Sequence, residues 1–135
     1  MPSSGTSLQS ALVSALTSDT QLASALGGRK VYDAPPPGAA MPYVTLGQST
    51  ERDWSTGSDE GREHTVTLLV WSRARGRSET HDLMGHLRRV LHDGALTLDG
   101  WRLVALRHEL SEVRRDNDGE TWRGLVRLRA VTEPA

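Results

Sequence analysis

The segment from Arg62 to Arg73, which reads REHTVTLLVWSR, constrains the fold of this chain more than any other. Its centre alternates with the period of two that a β-strand gives its side chains. One face carries Val66, Leu68 and Val70. The other face also carries apolar side chains, Leu69 and Trp71. A strand that is apolar on both faces needs cover on both. We therefore expect it inside a sheet, with a helix on one face and another layer, such as a second subunit, on the other.

Apolar residues at helical spacing predict three helices. The first runs from Ser7 to Leu16, and Asp19 is placed to cap a second short helix that Gly27 ends. The third follows Ser78, its expected cap. The buried stripe of this third helix is expected to be Leu83, Leu87, Val90 and Leu91.

Alternating apolar residues predict the remaining strands, beginning with short segments at 31–32 and 42–47. Asp99 and Gly100 form the pair preferred in a two-residue hairpin turn, which would place Leu98 opposite Trp101. A second arm continues to Arg114, and a last strand runs from position 121 to 132. The last strand directs alternate apolar side chains toward the core, namely Trp122, Val126, Leu128 and Ala130.

The order of these elements predicts an α+β fold in which helices pack on one face of an antiparallel sheet. The 135 residues suffice for one two-layer core, so we expect a single domain over 1–135, with residues 1–6 flexible. The chain has no cysteine, and its apolar runs stay below the roughly 18 residues that cross a bilayer. We expect synthesis in the cytoplasm and no membrane partner.

Residues 48–61 are polar and lack periodicity, which predicts a long functional loop. Within it, Trp54 is either an exposed contact anchor or a plug at the rim of the core. The charged residues around it are candidate interface residues: Arg52, Asp53, Asp59 and Glu60.

Three arginines alternate along the last strand: Arg123, Arg127 and Arg129. This ladder could meet acidic residues of a neighbouring subunit or passing DNA, or form a solvated, internally paired face. The formal net charge of −1 gives no general attraction for nucleic acid.

No residue pattern indicates catalysis, a metal or a cofactor. His81 and His86 lie five positions apart, whereas zinc-binding histidines on one helix face lie four apart. The acidic run 116–120 lacks the ligand spacing of a calcium loop and fits a hairpin turn. Nucleophile elbows, phosphate-binding glycine loops and dinucleotide fingerprints are absent from the sequence. We expect no enzyme, no metal and no cofactor.

Several segments, taken in order, resemble the tail-completion, or tail-terminator, family of long-tailed bacteriophages and gene transfer agents. The resemblance spans nearly the whole chain. It is carried by LASAL at 22–26, VYD at 31–33 with the prolines that follow, MPYVTLG at 41–47, VWS at 70–72, RDNDG at 115–119 and residues 124–130.

The resemblance implies a structural subunit that forms a hexameric ring at the head-proximal end of the tail tube. Its implied partners are other copies of itself, the tail tube protein and the head–tail connector, with DNA passing through the ring without sequence-specific binding. The implied location is the tail–neck junction of the particle. Two alternatives are a connector or stopper protein of the neck and a small non-enzymatic ligand-binding or regulatory domain.

Overall fold

A computed structural model describes residues 2–135, in which the chain forms three helices and five strands. Their bounds are α1 Ser4–Ser18, α2 Thr20–Leu26, β1 Val31–Tyr32, β2 Tyr43–Asp53, β3 Arg62–Ser72, α3 Ser78–Leu91, β4 Trp101–Arg115 and β5 Trp122–Pro134. The strands form one sheet in the order β1-β2-β3-β5-β4. The predicted α+β fold is therefore confirmed, and β3 lies at the centre of the sheet.

All strand pairs of the sheet are antiparallel except the short β1, which runs parallel to β2. Along β3 and β5, buried residues alternate with half-buried ones. We call the face made by the buried residues the inner face and the opposite one the outer face.

The helices pack against the inner face. Leucines of α1, α2 and α3 join β3 and β5 in one hydrophobic cluster. Its fully buried members include Leu12, Leu22, Leu68, Leu87 and Leu128. These residues supply most of the apolar surface removed from water, which is the main source of stability.

Gly124 allows α3 to approach the sheet closely. A Cβ atom at this position would lie 2.8 Å from Sδ of Met84 and 2.8 Å from Cγ2 of Thr80. Both residues belong to α3. Because Gly124 has no side chain, α3 lies closer to β5 than a larger residue at this position would allow.

The first two helices are capped by local side chains. Ser3 caps α1 by accepting a hydrogen bond from the Thr6 amide, so the helix begins before the predicted Ser7. Helix α1 thus begins inside the segment 1–6 that we expected to be flexible. Asp19 caps α2 as predicted, with its carboxylate accepting from the Leu22 amide at 2.8 Å. A hydrogen bond from Arg89 and this amide together lower the pKa of Asp19 to about 2.

The predicted loop at 48–61 is wrong in its first part. Strand β2 continues to Asp53, and only residues 54–61 connect it to β3. A register shift between Leu46 and Ser49 interrupts the pairing before this extension. Backbone pairing with β3 holds the extension although its side chains are exposed on both faces, so apolar alternation could not reveal it.

The predicted hairpin at Asp99 and Gly100 is reduced to a single bridge between Leu98 and Trp101. The turn forms as expected, but the residues before it make no strand, because β4 takes β5 as its partner. The Ser7 hydroxyl donates to the Asp99 carbonyl at 2.7 Å and ties the turn to α1. Within residues 2–135, no helix is long and apolar enough to span a membrane.

Candidate interaction surface

The outer face of the sheet is polar and charged where the inner face is apolar. On β3 and β5 its residues remain half-buried, in contrast to their inner neighbours. Several of them are apolar, among them Trp71, and Leu69 lies opposite Leu125 in the register of β3 and β5.

Five arginines of the outer face form what we call the arginine face: Arg107, Arg114, Arg123, Arg127 and Arg129. The register places Arg107 directly opposite Arg129 and Arg114 directly opposite Arg123. Arg127 lies opposite Leu110 between these two pairs. Like charges that face each other across strands destabilise a sheet, so this arrangement is costly for an isolated subunit.

Contacts within the chain involve only part of the arginine face. Arg129 binds Glu63, with Nε 2.6 Å from a carboxylate oxygen. Its guanidinium also lies 5.2 Å from the ring centre of Trp54, and that of Arg123 lies 5.8 Å from the ring centre of Trp71. Among residues 2–135, no carboxylate lies within ion-pair distance of the other three, Arg107, Arg114 and Arg127.

Trp54 is exposed, as one of our two interpretations of the loop predicted. It has 52% of its surface accessible and contacts Arg129 on the outer face. The turn at 54–61 is held by its own polar groups: the Ser55 hydroxyl donates to Asp53 at 2.6 Å, which lowers the pKa of this carboxyl. Arg62 reaches both Glu60 at 2.7 Å and Asp53 at 3.7 Å.

The predicted interface residues therefore fall into three groups. Arg52 and Arg129 share Glu63, at 3.6 Å and 2.6 Å, and Trp54 stacks on Arg129. Asp53 and Glu60 are engaged by Arg62, while Asp59 is exposed in the turn. Farther along β5 lie the remaining two, Arg123 and Arg127.

Sequence reasoning missed Arg107 and Arg114. Two register shifts in β4, between Leu103 and Ala105 and between His108 and Leu110, change which residues face outward. A simple period of two cannot be followed through such bulges. The alternating arginines of β5 were the only local signal for this face.

His64 lies on the inner face near the end of β3, where it is 3% exposed. Its Nε2 is 3.0 Å from the Thr132 hydroxyl and 3.8 Å from the Glu51 carboxylate. Glu51 also accepts a hydrogen bond from Ser4 at the start of α1. Burial lowers the pKa of His64, and Arg62 adds to this effect while Glu51 opposes it. The cluster joins α1 to the sheet.

A second arginine cluster lies at the other end of the sheet. Trp122 is sandwiched between Arg77 and Arg115, whose guanidinium groups lie 4.5 Å and 4.7 Å from its ring centre. Arg73 is hydrogen-bonded to Thr121 and lies 3.9 Å from Asp118. These arginines are therefore occupied in covering a buried tryptophan and the turn beside it.

The described residues contain no cluster of metal ligands, and the cavity between α1 and the sheet is small. No group of three or more histidine, aspartate or glutamate side chains in residues 2–135 could hold a metal ion. A cavity lined by Leu8, Leu12 and His64 has a volume of about 50 Å³. Sites for small molecules usually measure roughly 300–1,000 Å³, so this cavity does not fit a metabolite.

Comparison with known proteins gives consistent matches. The family model described as tail completion protein gp17 matches residues 10–133. Tail completion protein gp17 of Bacillus phage SPP1 is 28% identical over 100 residues, covering 74% of this chain and 74% of the relative. A chain in the virion of a native gene transfer agent particle superposes with a TM-score of 0.91 at 30% identity, covering 98% of this chain and 99% of that one.

Proposed function

Because this chain belongs to the tail completion protein family, with a structural role in virion assembly, we propose that it forms a ring at the head-proximal end of a tail tube. The ring ends the tube and provides the surface on which the head connector docks. Its partners are other copies of the chain, the tail tube protein and the connector. Assembly starts in the bacterial cytoplasm, and the finished ring lies at the tail–neck junction of a phage or gene transfer agent.

The family match over residues 10–133 carries this proposal. The ring itself is supported by the two edges of the sheet. Strand β4 forms one edge over its whole length, and the polar extension of β2 forms the other, since β1 pairs only with Val44 and Thr45. A ring needs two different surfaces that meet head to tail, and opposite sheet edges provide them.

Exposed apolar side chains lie near both edges. Val104 and Leu110 on β4 are 53% and 39% exposed, and Trp54 follows the end of β2 at 52%. Of these residues, tryptophan is the type that most often anchors protein interfaces. We infer that Trp54 of one subunit packs near β4 of the next, with about 800 Å² buried on each subunit.

The ring is tested by sedimentation of the purified protein over a range of concentrations, with and without tail tubes. Wild type should form a species larger than a monomer, and the double variant Val104→Ser, Leu110→Ser should stay monomeric. Gln9→Ser, an exposed substitution on α1, is the control. Wild type that stays monomeric and leaves tail tubes unbound would contradict the ring.

Electron microscopy of particles assembled without this protein tests its place in the virion. Overlong or headless tails are expected for a protein that ends the tube. Filled heads that leak DNA would instead indicate a stopper of the neck. Normal particles would contradict a role in tail completion.

A further inference from the structure

We propose that the arginine face binds the phosphate backbone of double-stranded DNA without reading its sequence. This inference deepens the proposed function and rests on it only for the origin of the DNA. The binding surface consists of side chains on β4 and β5 of a single subunit, so it can be tested without the ring.

The first argument is the pairing of like charges. Arg107 faces Arg129 and Arg114 faces Arg123, although the whole chain has a formal net charge of −1. Five of the 16 basic residues thus lie together on one face of a chain that has almost no net charge. Repulsion within these pairs is relieved when a polyanion covers them, because each phosphate then attracts both arginines.

The second argument is that part of the arginine face remains available to bind an anion. Arg107, Arg114 and Arg127 form no ion pair with any residue from 2 to 135. Of the two glutamates on the same part of the face, Glu63 is held by Arg52 and Arg129, and Glu112 lies opposite Leu125. A guanidinium group donates two parallel hydrogen bonds to a phosphate, which suits this task.

The third argument is the shape of the charged strip. Arg123 and Arg129 are six residues apart on β5, so the strip is about 20 Å long, and β4 lies about 5 Å to its side. A strip in which arginines outnumber glutamates fits a linear polymer of evenly spaced negative charges, as DNA is.

An acidic surface of a second copy fits less well. Many carboxylates of this chain are already bound within it: Asp53 and Glu60 by Arg62, Asp19 by Arg89, and Asp118 by Thr121. A neighbouring copy that used these carboxylates to cover the arginine face would have to break these contacts. DNA phosphates require no such exchange.

The test measures fluorescence anisotropy of a labelled DNA duplex of mixed sequence with the full-length protein over a series of salt concentrations. The test variant is Arg107→Gln, Arg114→Gln, Arg127→Gln. The matched control, Arg29→Gln, Arg75→Gln, Arg88→Gln, removes the same charge from exposed positions elsewhere.

Wild type should bind with a Kd of about 10⁻⁴–10⁻⁶ M at physiological salt, as is usual for binding without sequence preference. The plot of log K against log salt has a negative slope. Its magnitude should be smaller by roughly 2–3 in the test variant, since each lost phosphate contact removes about 0.9. The control should keep the wild-type slope. Cooperative thermal unfolding of both variants, followed by circular dichroism, shows that the fold is retained.

Three results would overturn the proposal: no binding by wild type at low salt, an unchanged slope in the test variant, or an equal loss in the control. If wild type does not bind DNA and the test variant loses self-association, the arginine face pairs with a neighbouring subunit instead. If DNA binding follows the prediction but no ring forms, the proposed ring fails and this inference stands.

Discussion

The inner and outer faces of the sheet are built from alternate residues of the same strands, yet they differ in almost every physical respect. On β3, Leu68 is fully buried and its neighbour Leu69 is half-buried. On β5, Leu128 is fully buried between the half-buried Arg127 and Arg129. The inner face holds the fold together, and we propose that the outer face makes contacts with other molecules.

This division explains how a small chain can carry an unfavourable arrangement of charges. Burial of apolar surface on the inner face stabilises the domain. The like-charge pairs on the outer face reduce this stability by a smaller amount. The contrast between the faces leads to four predictions, which begin with the largest effect.

Removing core volume from the inner face should have the largest effect. Leu68→Ala should lower the free energy of unfolding by about 2–5 kcal/mol, because it leaves a cavity in the core. Leu69→Ala, its matched control on the outer face, should lower it by about 1 kcal/mol or less. Urea unfolding of dilute protein measures both, and equal losses would contradict the difference between the faces.

Adding a side chain at the contact between helix and sheet should have the next largest effect. Gly124→Ala should destabilise by about 1–3 kcal/mol, since the new methyl group would overlap Thr80 and Met84. Gly85→Ala is the control. Gly85 lies in α3 with open space around its Cβ position, so this change should stabilise by roughly 0.5–1 kcal/mol. A neutral Gly124→Ala would show that α3 shifts freely on the sheet.

Lowering the pH should reduce the stability of the folded protein, because His64 is buried on the inner face. The pKa of His64 is lowered in the folded protein, so the unfolded state binds a proton first as the pH falls below 6.5. Stability should be complete above this pH and decline below it, and His64→Gln should reduce the decline. His108→Gln is the comparison, since burial lowers the pKa of His108 in the same direction. Chemical unfolding across this pH range measures the stability of each variant. A dependence on pH that is the same in His64→Gln as in wild type would contradict the role of His64.

Changes on the outer face should have the smallest effect and can carry the opposite sign. Arg107→Thr removes the charge facing Arg129 and should stabilise by roughly 0.2–1 kcal/mol at low salt. Arg102→Thr, which breaks the ion pair with Glu133, should be neutral or destabilise by up to about 1 kcal/mol. Thermal unfolding at low and high salt distinguishes them, because salt screens both effects. Destabilisation by Arg107→Thr at low salt would show that the pair is not repulsive.

Much of the fold follows from short-range patterns. The alternation in β3 and β5 identified the buried residues and placed Arg123, Arg127 and Arg129 together on the opposite face. The Asp19 cap could be predicted because a capping side chain binds a backbone amide three residues away. Family membership was likewise evident from the order of short segments, and the comparisons confirm it.

The candidate surface could be predicted only in part. The extension of β2 is polar on both sides, so its strand conformation depends on pairing with β3. The sequence did not decide whether Trp54 is exposed or buried, because a tryptophan in a polar segment is compatible with both environments. Its contact with Arg129 depends on where the turn at 54–61 lies over the sheet.

The sequence by itself determined which side chains of β3 and β5 enter the core, since a strand turns successive side chains to opposite faces. Only the tertiary structure decided that Arg107 and Arg114 of β4 join the arginines of β5. Two bulges in β4 set that register, and their position depends on pairing with a distant strand rather than on local sequence.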